Sequence, residues 1–149
     1  MVRSLSLASR RPIRVCPAGA ITTQGRASLA AGLHPATGGS GSQLCSGDML
    51  LQAPVACVGV TLVAVAAAIG VELRNDTVTA AGDLDFRGTL AVAKDAPADF
   101  TRIGPQFALD TDAPAERVAT LLRLTERYCF VYQTLRRPTQ LSATVSNAG

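Results

Sequence analysis

Thiols are the side chains of this 149-residue chain with the clearest capacity for chemistry. The cysteines are Cys16, Cys45, Cys57 and Cys129, and His34 is the single histidine. No two cysteines form a Cys-x-x-Cys pair, and their spacings do not match a zinc site, so we expect no structural metal. No signal-peptide pattern is seen, so we expect a cytoplasmic protein with reduced thiols. The surroundings of each thiol then decide whether it reacts or only packs.

Cys57 lies within an uncharged stretch, "MLLQAPVACVGVTLVAVAAAIGV". Its length would allow a membrane span. However, the stretch is rich in alanine, holds a glutamine, a proline and a threonine, and lacks flanking clusters of Lys or Arg. We therefore favour a buried helix, with Ser46 as its cap, Asp48 in its first turn and Gly70 as its stop.

The basic N-terminal part of the chain does not indicate a nucleic-acid-binding protein. Residues 1–47 hold five arginines and no acidic residue, while the remainder has a net charge of −2. These arginines are dispersed, and no aromatic residues alternate with them to stack on bases. We expect one domain over residues 1–149, with residues 1–12 a loose N-terminus.

The other segments predict a mixture of strands and one amphipathic helix. We expect short strands between residues 13 and 33, and a Gly/Ser-rich loop without the Lys-Ser/Thr pair of a phosphate-binding loop. A β-meander should follow the long helix, with "NDT" and "AAGD" as turns, then a strand "FTRIGPQFALD" with Pro105 at an edge or bulge. The second helix should have Asp112 as its cap and run into Cys129, with an apolar face that includes Leu121, Thr125 and Tyr128. With "QLSATVS" as a last strand, the class is α+β.

Four segments resemble one family in their order along the chain. They are "CSGDMLLQAPVACVGVTL", "AAGDLDFRGTL", "PAERVATLLRLTERYC" and "FVYQTL". They resemble the cysteine helix, middle strand pair, second helix and second-cysteine segment of the osmotically inducible protein C and organic hydroperoxide resistance family (OsmC/Ohr). The resemblance covers residues 32–145. It implies antiparallel sheets packed around a long central helix and a second amphipathic helix, in an intertwined homodimer with active sites at the dimer interface.

The resemblance also implies site residues and a reaction. Cys57 matches the family's reactive cysteine, Cys129 its resolving cysteine, Arg26 its activating arginine and Asp48 the arginine's acidic partner. A cation beside a thiol favours the thiolate, and a carboxylate can hold a guanidinium in place. The Cys57 thiolate would attack an organic hydroperoxide, releasing an alcohol and leaving a sulfenic acid, which Cys129 would convert to a disulfide. An external dithiol would reduce that disulfide, with no cofactor, and neither nucleic acid nor a membrane as partner.

Several features favour the alternative of a catalytically silent dimeric binding or stress-associated protein. A cysteine in an Ala/Val helix usually only packs. Asp48 and Cys57 are nine residues apart, about 900° around a straight helix, so their side chains point to opposite faces. Gly47-Asp48 replaces the longer or paired acids common in the family, and Pro54 interrupts the helix before Cys57. Cys16 and Cys45 look incidental, although Cys45 is a possible alternative resolving thiol.

Overall fold

The fold is α+β, as predicted, with one antiparallel sheet against one long helix. The computed structural model describes residues 3–8 and 32–145. Cys16 and Arg26 lie outside those ranges, as do the strands predicted between residues 13 and 33 apart from residues 32 and 33, which have no regular secondary structure. The elements are β1 (Arg3–Ala8), a 3₁₀ turn (Pro35–Thr37), α1 (Ser46–Ile69), β2 (Thr77–Leu84), α2 (Phe86–Thr89), β3 (Phe100–Ala108), α3 (Ala115–Tyr128) and α4 (Phe130–Arg136).

Helix α1 begins with a reciprocal cap made by Cys45 and Asp48. The Asp48 N–H donates to Sγ of Cys45 (3.4 Å), and the Cys45 N–H donates to Oδ2 of Asp48 (3.3 Å). The prediction that Ser46 caps this helix is therefore wrong, since Ser46 is its first helical residue. The cap satisfies two backbone donors that a helix start leaves without partners. Asp48 does lie in the first turn, as expected.

The other end of α1 is fixed by Gly70, the predicted stop. Gly70 adopts the left-handed conformation (φ 66°, ψ 39°), which a residue without Cβ enters at no steric cost. Its N–H donates to the carbonyls at the helix end, and the guanidinium of Arg117 donates to the Ile69 carbonyl. Between the two caps, α1 is continuous through Pro54.

The sheet has the strand order β1-β2-β3, and both pairings are antiparallel. Within the described residues β3 lies at one edge of the sheet, which agrees with the edge position, one of the two alternatives predicted for Pro105. Three expectations differ from the structure. Arg3–Ala8 form a strand where a loose N-terminus was expected. The "AAGD" residues lie inside β2 rather than in a turn, and the second half of the predicted meander is α2 followed by turns.

The C-terminal part contains two helices where one helix and a strand were expected. Helix α3 has Pro114 at its N-cap, so the prediction of Asp112 as its cap is wrong; Asp112 instead forms an ion pair with Arg74 (2.5 Å). Tyr128 is 63% exposed and is not part of the buried face. The segment predicted as a last strand has no regular secondary structure up to residue 145.

The core lies where α1 meets β2 on one side and α3 on the other. Its buried side chains come mainly from α1, with Val78 and Ala80 from the sheet and Leu121 and Cys129 from the C-terminal helices. Side chains of α1 at spacings of three and four form one continuous buried stripe: Leu51, Val55, Val58, Leu62 and Ala66. This packing brings the middle of α1 against the end of α3.

Candidate functional site: a pair of neighbouring thiols

Cys57 lies near the middle of α1, at the edge of its buried stripe. It precedes Val58, which is 1% exposed, by one residue and is therefore rotated by about 100° from the centre of the stripe. Its side chain is half-buried and packs against the core cluster. The Cys57 carbonyl also accepts a hydrogen bond from the Thr61 hydroxyl (2.7 Å). The position leaves the thiol in contact with both the core and the surface.

Cys129 lies at the junction of α3 and α4 and is fully buried. It is the C-cap of α3 and the N-cap of α4, with an extended backbone (φ −72°, ψ 109°). Its thiol is 0% exposed, and Sγ accepts a hydrogen bond from the backbone N–H of Tyr132 (3.4 Å). The prediction that Cys129 marks a helix end is confirmed, while the helix that follows it was not predicted.

The structure brings these two cysteines together as neighbours. Burial raises the pKa of the Cys129 thiol above its ordinary value, and the adjacent Cys57 thiol raises that pKa further, while the Tyr132 N–H lowers it in part. Both cysteines are free thiols. They come from segments 72 residues apart in the chain, so it is the packing of α1 against the C-terminal helices that creates the pair.

An open groove lies one helical turn from the two cysteines. Its walls come from α1, β3 and α4, and its volume is about 460 Å³. Pro54 and Tyr132, each three residues from one of the two cysteines, both line it. Phe100 and Ile103 of β3 supply further apolar surface, and the guanidinium groups of Arg102 and Arg136 lie among the lining groups. Neither cysteine lines the groove itself, which offers a largely apolar surface one helical turn from each of them.

A comparison with protein-family models identifies the family of the chain. The model described as OsmC-like protein matches residues 39–144. The chain belongs to the OsmC-like family. This match includes α1, both cysteines of the pair and every wall of the groove, and it confirms the resemblance seen in the sequence. A comparison with curated proteins gives no match.

The two other residues assigned from the OsmC-like pattern are not seen beside the thiols. Arg26 lies outside the described residues. Asp48 belongs to the cap at the start of α1, two and a half turns before Cys57, where its carboxylate accepts from the Cys45 N–H. Among the described residues, Asp48 takes part in none of the ion pairs. Its position agrees with the helix geometry that places Asp48 and Cys57 on opposite faces.

Sequence reasoning missed two contributors to this OsmC-like site. Tyr132 supplies the N–H that reaches Cys129, and Phe100 forms part of the groove. The sequence predicts the helix end at Cys129, but no Gly or Pro around residues 128–130 indicates that a second helix starts there at a new angle. Cys45 is buried and caps α1, and no group of three or more His, Cys, Asp or Glu in the described ranges is arranged to hold a metal.

Proposed function

We propose that this OsmC-like protein is a thiol-dependent organic hydroperoxide reductase acting in oxidative-stress defence. The observation that carries the proposal is the pairing of a half-buried thiol, Cys57, with a neighbouring buried thiol, Cys129. We assign the half-buried sulfur of Cys57 to attack on the peroxide, and the neighbouring sulfur of Cys129 to closing a disulfide that protects Cys57 from over-oxidation. The largely apolar groove lined by Pro54 and Tyr132, one helical turn from the pair, suits the organic part of a hydroperoxide better than it suits hydrogen peroxide.

The proposed chemistry assigns one role to each sulfur. The Cys57 thiolate attacks the distal peroxide oxygen; the O–O bond breaks, the alcohol leaves, and Cys57 becomes a sulfenic acid. Attack by the Cys129 thiolate then forms the disulfide and releases water. An external dithiol restores both thiols, so that neither a metal nor an organic cofactor takes part. On the family pattern alone, we assign Arg26 to stabilising the Cys57 thiolate and Asp48 to holding the Arg26 guanidinium in place.

The decisive experiment counts thiols before and after addition of cumene hydroperoxide. The folded wild-type protein is treated with peroxide and then unfolded for counting; it should lose two thiols per equivalent of peroxide, with release of cumyl alcohol. Cys57→Ser should abolish the loss. Cys45→Ser is the matched control, because a serine hydroxyl also caps a helix and the cap lies away from the pair. An unchanged wild-type thiol count would refute the proposal.

The second candidate is a catalytically silent binding or stress-associated protein in which Cys57 only packs. The contact of Cys57 with the core cluster favours it. In that case Cys57→Ala would leave every measured activity unchanged. It would also cost only the small amount of stability expected from a half-buried sulfur, about 1 kcal/mol.

We propose that the assembly is a cytoplasmic homodimer with no membrane attachment. Helix α1 is long and apolar enough to cross a membrane. Of its 18-residue apolar window, 39% is buried within the chain, so the rest of this surface needs a cover of lipid or protein. The uncovered side includes Val60 (42% exposed) and Val63 (61% exposed). A second copy packed on this side would remove that surface from water, as the family pattern implies.

Sedimentation of the detergent-free soluble fraction tests this assembly. The wild type should sediment as a dimer, and Val63→Glu should shift it towards monomer because a carboxylate would be buried at the contact. Val92→Glu is the matched control, since Val92 is 73% exposed and lies in the turns after α2. A monomeric wild type, or recovery only with detergent, would contradict the proposal.

A further inference from the structure

The two thiols of the pair differ in how far a molecule from solution can approach them. The Cys129 side chain is 0% exposed and belongs to the core cluster. The Cys57 side chain is half-buried at the edge of the α1 stripe. Thiol–disulfide exchange requires direct approach of a thiolate to one of the two sulfur atoms. In a disulfide formed by this pair, only Sγ of Cys57 meets that requirement without opening the core.

The two sulfurs also differ as leaving groups. When one sulfur of a disulfide is attacked, the other departs with the bonding electron pair, and a hydrogen bond to the resulting thiolate speeds its departure. Sγ of Cys129 accepts the Tyr132 N–H. Cys57 lies in the interior of α1, where backbone N–H groups are already engaged by carbonyls of the preceding turn. The Tyr132 N–H therefore offers a departing Cys129 sulfur one hydrogen bond, while the burial that raises the pKa of Cys129 opposes the negative charge there, so the direction of attack is decided by access to Sγ of Cys57.

We propose that the oxidised pair is reduced by attack of an external thiolate on Sγ of Cys57, with Cys129 as the leaving group. This inference rests on the proposed function for the occurrence of the disulfide in the reaction cycle. The attack breaks the Cys57–Cys129 bond, joins the reductant to Cys57 and leaves the electron pair on Cys129, which then takes up a proton. The second thiol of a dithiol displaces Cys57 from the mixed disulfide, so the dithiol supplies two electrons and two protons in all.

Peptide mapping of a trapped intermediate tests the direction of attack. A Cys16→Ser/Cys45→Ser background leaves only the pair, and diamide, a two-electron acceptor, forms the disulfide without a peroxide. A short pulse of glutathione, quenched with acid and followed by alkylation, should give glutathione on Cys57 and an alkylated Cys129. Glutathione mainly on Cys129 would overturn the inference.

Two single-thiol proteins provide a second measurement in the same background. The Cys129→Ser protein, which retains Cys57, should react with methyl methanethiosulfonate at least ten-fold faster than the Cys57→Ser protein, which retains Cys129. Equal rates, or the reverse order, would also overturn the inference. Circular dichroism spectra establish that both variants are folded before their rates are compared.

The diamide step separates this inference from the proposed function. Disulfide formation with diamide but no reaction with cumene hydroperoxide would contradict the proposed function alone. Failure of diamide to link Cys57 and Cys129 in the folded protein would overturn the inference itself. Formation of the disulfide by both oxidants, with glutathione on Cys57, would support both proposals.

Discussion

Gly82 should be the residue of the sheet that tolerates a methyl group least. It lies inside β2, opposite Ile103 of β3. A Cβ at this position would come within 2.7 Å of two ring atoms of Phe100 and 3.2 Å of Cδ2 of Leu51. Carbon atoms pack at about 3.5–4.0 Å, so the Phe100 ring or the strand must move. We expect Gly82→Ala to lower the free energy of unfolding by about 1–3 kcal/mol.

Gly104 offers a matched control on the neighbouring strand. It pairs with Ala81, beside Gly82, and a Cβ there would meet no atom within 4 Å. Its φ lies outside the left-handed region, so alanine fits the backbone and restricts only the unfolded chain. Gly104→Ala should therefore raise the free energy of unfolding by about 0.4–1 kcal/mol. The two variants should differ by about 1.4–4 kcal/mol.

Urea unfolding followed by far-ultraviolet circular dichroism measures both effects. A double-mutant cycle with Phe100→Leu identifies the cause, because leucine lacks the ring atoms that the new methyl group would meet. In that background the cost of Gly82→Ala should fall below about 1 kcal/mol. Equal unfolding midpoints for the Gly82 and Gly104 variants would refute the reasoning, as would a Gly82→Ala cost that does not change with Phe100→Leu.

Two further predictions concern pH. Burial raises the pKa of Cys129, so the folded protein binds this proton more tightly than the unfolded chain; the free energy of unfolding should fall as pH rises past the ordinary thiol pKa of about 8.5. Urea titrations at pH 7 and pH 10 should show that Cys129→Ala reduces this loss, and an undiminished loss would contradict the assignment. The ion pair and hydrogen bonds with Arg87 lower the pKa of Asp85 to about 2, so its stabilising effect should be complete above pH 4 and be lost as pH falls towards 2. Unfolding midpoints of Asp85→Asn should therefore vary less than the wild type's over this acid range; equal variation would refute the linkage.

The sequence was most informative where one pattern persisted over many residues. The uncharged run around Cys57 predicts α1 almost to the residue, because its length, its apolar composition and Gly70 all agree. The caps were predicted less well. A cysteine is an unusual N-cap, so Ser46 was the better guess, and only the structure reveals the exchange of hydrogen bonds between Cys45 and Asp48.

Predictions from the sequence failed where one residue type is common in two kinds of structure. Glycine beside alanines usually indicates a turn, yet Gly82 lies inside β2 because the Phe100 ring lies against it. That contact joins residues 18 positions apart and is invisible to local patterns. The same limit applies to the thiol pair. The family pattern identified Cys57 and Cys129, but their proximity depends on the packing of α1 against α3, which no local pattern predicts.

The unequal exposure of the two thiols follows from the helix positions that they occupy. Leu121, Thr125 and Cys129 are each 0% exposed and follow one another at a spacing of four, which changes their direction by only about 40° per step. Cys129 is therefore the last residue of the buried face of α3. The helix ends there, and α4 begins in a new direction, with side chains that line the groove. Cys57, by contrast, lies one residue before the buried Val58 and so stands at the margin of the α1 stripe. The proposed reaction needs one sulfur that meets the substrate and one that is held in reserve. These two helix positions provide that difference in exposure, and no charged side chain of the described residues belongs to the core cluster.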